Sequence, residues 1–181
     1  MKKVLITALF AIGLFSVNAQ SVDFGLKAGV NFSTLRGENL SVESRTGFHV
    51  GAVAEFGLGD KFSLQPELLY TQLGTKGETG GDFKSEYISL PVMAKYYVFQ
   101  GLSLEVGPQA SLLIGDEFKL ADGSIADVEI EDFDLGLNFG LGYNFDNGLF
   151  VQSRYTLGIT EVQENPDVKN GAFQFSLGYL F

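Results

Sequence analysis

Residues able to do chemistry are sparse in this chain. There is one histidine, His49, and no cysteine. Glu43, Ser44 and Thr46 precede His49 closely, so an acid, two hydroxyls and a base share one short stretch. Nucleophilic catalysis needs nucleophile, base and orienting group within hydrogen-bond reach. No spacing in this stretch predicts that reach. No residue is therefore assigned a catalytic role, and an enzyme is not expected. A second group is acidic. "DEFKLADGSIADVEIED" carries Asp116, Glu117, Asp122, Asp127, Glu129, Glu131 and Asp132 against Lys119. Calcium favours carboxylate oxygens, but this spacing matches no calcium loop. A solvated loop is the expectation, with no metal and no cofactor.

A third group is dispersed and more regular. Lys27, His49, Glu55, Glu67, Lys95, Glu105, Asp134 and Arg154 each fall on the polar side of an alternating stretch. Acids and bases are mixed among them. If such residues point into a closed interior they must pair, because an unpaired buried charge is costly. The expected chemistry is a structural network of ion pairs and hydrogen bonds.

The elements that would position them read as strands. In "VDFGLKAGVNF", Val22, Phe24, Leu26, Ala28, Val30 and Phe32 alternate with Asp23, Gly25, Lys27, Gly29 and Asn31. Side chains in a strand point to opposite faces in turn, so this is one amphipathic strand. The same period recurs in "FHVGAVAEFGL", "FSLQPELLY", "YISLPVMAKYYV", "LSLEVGPQASLLI", "FDLGLNFGLGYNF" and "LFVQSRYTLGI". The eighth stretch is "GAFQFSLGYLF", where Phe173, Phe175, Leu177, Tyr179 and Phe181 take every second position. Connections alternate in length. "GLGDK", "FQG" and "DNG" are short, the last an Asp/Asn-Gly turn. "STLRGENLSVESRT", "GTKGETGGD", "DEFKLADGSIADVEIED" and "TEVQENPDVKNG" are long and polar.

Eight antiparallel strands with long and short loops sorted to opposite ends describe an all-β, eight-stranded, up-and-down transmembrane β-barrel. In lipid every backbone group must be paired internally, so the sheet must close. A secreted soluble barrel that binds lipid shares the periodicity with its faces inverted. Three features favour the membrane, the aromatic closing strand among them. The polar faces are mostly Gly, Ser and Asn, too poor in charge for a face in water. Aromatics also collect near strand ends: Phe56, Phe62, Phe99, Tyr143, Phe145, Tyr179 and Phe181 by the short turns, and Phe32, Phe48, Tyr70 and Tyr155 by the long loops. That is the pattern of two interfacial girdles.

At the N-terminus, Lys2 and Lys3 precede an apolar run from Val4 to Val17, with Val17 and Ala19 placed for cleavage. Residues 1–19 are expected to be a removed signal peptide, and residues 20–181 the barrel. The formal net charge of −10 argues against nucleic acid as a partner.

A leader ending "NAQ", the opening strand "FGLKAGVNFS" and the closing "FSLGYLF" together resemble the PorT-like outer-membrane β-barrel family. The likeness covers essentially the whole chain after the leader. It implies the outer membrane of a Gram-negative bacterium, with both termini periplasmic. It also implies contact with outer-membrane lipid and lipopolysaccharide. The closing aromatic strand resembles the signal read by the barrel assembly machinery, and Phe173, Phe175, Leu177, Tyr179 and Phe181 would carry it as they close the barrel. The best-known member type is linked to protein secretion, so secretion-system components are possible partners. The expected role is structural or interactive, with loops on a rigid scaffold. A small porin or transporter is the alternative.

Overall fold

The computed structural model describes residues 21–36, 42–77, 82–119, 125–126, 132–160, 163–164 and 167–181. Among them are ten strands. Eight build the wall: β1 (Ser21–Arg36), β2 (Val42–Gly57), β3 (Phe62–Gly77), β4 (Asp82–Tyr97), β5 (Leu102–Lys119), β7 (Phe133–Asn144), β8 (Leu149–Gly158) and β10 (Asp167–Leu180). Two are two-residue additions, β6 (Ile125–Ala126) on β5 and β9 (Gln163–Glu164) on β10. Each wall strand pairs antiparallel with its neighbours in chain order. The last returns to the first, from Gly25 opposite Leu180 to Arg36 opposite Lys169. The sheet is thus a closed eight-stranded barrel, and closure removes the unpaired edges that lipid cannot satisfy.

The alternation in sequence becomes inside and outside. On β10, Phe173, Phe175, Leu177 and Tyr179 are exposed, as is Phe181 just after it, whereas Gln174 and Ser176 are buried. On β1, Phe24, Leu26, Val30 and Phe32 face out, while Lys27 and Asn31 face in. The apolar surface therefore clothes the exterior and the polar one lines the lumen, the inverse of a soluble lipid carrier. Aromatics mark both margins. Phe62 packs on Tyr96 with ring centroids 4.9 Å apart, and Tyr179 lies 5.7 Å from Phe181. At the other margin Tyr155 lies 4.7 Å from Phe173 and Phe48 5.7 Å from Tyr70.

The three short connections are tight turns. At the last, Gly148 has a φ of 86° and its N–H donates to Phe145 O at 3.1 Å. A side chain there would be strained by that φ and would meet Leu180 O at 2.6 Å. Ser21 and Phe181 lie at this turn end.

The opposite end differs from expectation. The strands run on into the long polar connections: β1 reaches Arg36, β3 Gly77 and β5 Lys119. Counting apolar alternation finds only the lipid-facing part of a strand, and beyond the aromatic margin both faces become polar. These extensions are unequal. β1 to β5 have 16 to 18 residues, whereas β7 has 12 and β8 has 10. The wall is tall on one side and low on the other. The proposed signal peptide and most of the acidic stretch after Lys119 lie outside the described residues.

Candidate functional site

All eight titratable residues singled out from the sequence are buried in the lumen. Six of them form one chain of alternating sign. Glu55 pairs with Lys95 at 2.7 Å, and Lys95 lies 3.9 Å from Glu105. Arg154 meets Glu105 at 2.9 Å and Glu67 at 2.6 Å, and Glu67 meets Lys27 at 2.7 Å. Arg154 is central. Its Nη1 and Nη2 donate to the two oxygens of Glu67, and its Nε donates to Glu105 Oε2 at 2.9 Å. A guanidinium fork matched to two carboxylates is the strongest arrangement available to such a group. Three cations face three carboxylates, so the chain carries no net charge.

Neutral side chains take up the remaining capacity. Gln152 donates to Glu105 at 3.0 Å and Gln65 to Glu67 at 2.7 Å. Ser63 donates to Glu55 at 2.6 Å, and the Tyr97 hydroxyl also donates to Glu55. Asn144 donates to the Tyr97 oxygen at 3.1 Å. With Phe150, which is 1 % exposed, these groups close the turn end.

The charged side chains come from β1, β2, β3, β4, β5 and β8. Glycines on the intervening strands make room for them. A Cβ at Gly142 would come 2.3 Å from Glu105 Oε1, and one at Gly140 would come 2.6 Å from Arg154 Cγ. A Cβ at Gly178 would meet the Phe150 ring at 2.1 Å. The glycines of "LNFGLGYNF" are therefore sockets for large lumen side chains.

Two of the eight stand apart. Asp134 accepts from Thr160 at 2.8 Å near the low side of the rim. His49 lies loopward of the ion chain and hydrogen-bonds Asn31 on β1 and Ser176 on β10. Its chain neighbours Ser44 and Thr46 are exposed on the outer face and do not share its site. Asn31 and Ser176 were not legible as its partners, because they become neighbours only through the closing register of β1 with β10. Further toward the loop end Leu73, Tyr87 and Ala172 pack together as an apolar plug, with Leu113 against them. Leu69, Met93 and Val53 are also inward and apolar, so the lumen is less polar than the sequence reading made it. Among the described residues, no cluster of three or more acidic or histidine side chains is arranged to hold a metal ion.

A closed antiparallel wall, an apolar belt between aromatic margins and a paired, filled interior together define an outer-membrane β-barrel. The chain belongs to the outer membrane protein beta-barrel domain family, whose model matches residues 18–164. No curated protein matches it in sequence. Among solved structures it is similar in fold to the Neisserial surface protein A, NspA. That likeness has a TM-score of 0.65 at 18% identity, over 89% of this chain and 99% of that one. It is also similar to Ail, the attachment invasion locus protein of Yersinia pestis, solved with the heparin analogue sucrose octasulfate. There the TM-score is 0.56 at 17% identity, over 89% and 99% of the two chains. A third likeness is to the outer membrane protein OprG of Pseudomonas aeruginosa, with a TM-score of 0.50 at 12% identity over 89% and 96%.

Proposed function

We propose that this protein is a closed membrane platform that works through the surface at its loop end and not as a pore. The observation that carries this reading is the doubly blocked lumen. The six-membered ion chain fills its turn-side half, and Leu73, Tyr87 and Ala172 plug the other. An eight-stranded barrel is only wide enough for its own side chains. The purified full-length barrel in planar bilayers should show no stable ion steps. Large, long-lived steps would instead favour the small porin or transporter.

In this reading the turn end faces the periplasm, and the lipid and lipopolysaccharide of the outer membrane surround the belt. The aromatic strand β10 is the element recognised by the barrel assembly machinery. The acidic composition disfavours polyanions of the sort Ail binds in its complex. Titration with sucrose octasulfate should give no saturable binding. The resemblance to PorT-like proteins supports a narrower version, in which the loop end contacts secretion-system components. A pull-down from detergent-solubilised outer membranes tests it, and recovery of no secretion component would reduce the role to a stand-alone platform.

A further inference from the structure

Next to the Phe62–Tyr96 ring pair, the first two tight turns bound an open cleft of about 370 Å³. Asp60 and Lys61 line it from the turn between β2 and β3. Tyr97, Phe99, Gln100 and Gly101 line it from the end of β4 and the turn into β5. Tyr97 N–H donates to Lys61 O at 2.8 Å and ties the two sides together. Phe62 opposite Tyr96 is the next pair in register. One residue along a strand is about 3.3 Å, so the cleft begins about that far beyond the aromatic margin. Aromatic margins of membrane proteins lie at headgroup level.

The polar groups of the cleft are uncommitted. Asp60, Lys61 and Gln100 are exposed, and among the described residues their side chains have no ion-pair or hydrogen-bond partner. An acid and a base adjacent in sequence therefore stand open on the same cleft. The Tyr97 hydroxyl is already donated to Glu55, and its ring carries the Lys95 ammonium 5.4 Å from the centroid. Phe99, which is 75% exposed, is the ring left for a ligand.

An anion alone would be repelled by Asp60, and a cation alone by Lys61. A ligand with separated charges of both signs satisfies the two together. A carboxylate beside an open aromatic face suits an ammonium, and a lysine suits a phosphate. The volume is near the lower end of small-ligand sites, which fits a headgroup and not a whole lipid. We propose that this cleft binds the phosphoethanolamine headgroup of a membrane phospholipid. The phosphate lies at Lys61 and Gln100, the ammonium at Asp60 and Phe99, and the acyl chains run along the wall past Phe62 and Tyr96. The inference needs the turn-side margin to be a bilayer surface and is independent of what the loop end does.

The test uses the full-length barrel in maltoside micelles with equal amounts of phosphatidylethanolamine and phosphatidylglycerol of identical chains, read by native mass spectrometry. Both lipids carry the phosphate, and only the first carries the ammonium. One phosphatidylethanolamine per barrel should be retained, favoured by about five-fold, as much as an exposed ion pair supplies. Asp60→Asn should remove that preference. Asp146→Asn makes the same change in net charge at the third turn and should leave it intact. Lys61→Gln should weaken both lipids alike, because both present a phosphate. Heat-modifiable migration on gels reports whether each variant is folded. Should Asp60→Asn not fold, wild type given N-acetylated phosphatidylethanolamine serves instead, and its preference over phosphatidylglycerol must vanish. Equal retention of the two lipids by the wild type overturns the proposal. So does a preference that survives in folded Asp60→Asn or for the N-acetylated lipid, one that is lost in Asp146→Asn, or unchanged binding by folded Lys61→Gln. Displacement of the lipid by an equal concentration of glycine or of soluble phosphoethanolamine overturns it too, since neither needs a membrane.

Discussion

The lumen has two halves, and each is closed by a different kind of interaction. On the turn side, six charges in alternating order pair across the interior. On the loop side, Leu73, Tyr87 and Ala172 close it by packing. The first solution is strong only while complete. Deleting one member strands its partners in a medium that does not solvate them. The second is graded, since an apolar plug loses stability roughly in proportion to the volume removed. Charges in the lumen need exact partners from six strands, whereas an apolar plug needs only the right volume. The two halves should therefore fail differently.

The sharpest way to break this contrast is Glu67→Ala. It leaves Lys27 and Arg154 buried without their shared carboxylate and should cost about 3–5 kcal/mol, read as a shift in urea unfolding in micelles. An equal cost for every member of the chain would contradict the central place of Glu67 and Arg154. Tyr87→Ala opens a cavity on the loop side and should cost about 3 kcal/mol. It should leave bilayer conductance at zero, because the ion chain still blocks the path. Gly142→Ala drives a methyl into Glu105 and should cost about 1–3 kcal/mol, while at half-buried Gly59, where a Cβ meets nothing within 4 Å and φ is 146°, the same change strains the backbone and disturbs no lumen contact. The smallest effect belongs outside, beyond the aromatic margin. The Lys84 ammonium hydrogen-bonds Glu86 and holds its carboxyl below the usual range. The bond stabilises the fold at neutral pH, and that contribution fades as acid protonates Glu86. Lys84→Ala should cost less than about 1 kcal/mol and remove this acid-dependent part of the unfolding curve.

How much of this was readable beforehand depends on the kind of information. Inside and outside were plain, because a two-residue period assigns each side chain once the medium is known. Phe173 and Gln174 illustrate it. Strand ends were not plain, because Thr34 to Arg36 and Thr75 to Gly77 continue the sheet without an apolar signal. The charged lumen residues were identifiable one by one, but their order was not. Whether Arg154 meets Glu67 or Glu55 depends on the registers of several strand pairs, and these rest on turn geometry. Ser176 beside His49 was hidden for the same reason. The inward Val53, Met93 and Phe150 were overlooked because an apolar residue at a polar parity breaks the pattern that was being counted.

The seam between β1 and β10 has a consequence in time as well as in space. Its twelve residue pairs join the first described strand to the last. Until β10 is in place, β1 presents a bare row of N–H and C=O groups along one side. The same delay applies to Ser176, Gly178 and the β10 wall around the lumen. Every intermediate on the way to the barrel is therefore an open sheet with a sticky margin. A protein of this shape needs its first strand shielded by something else for as long as its last strand is missing.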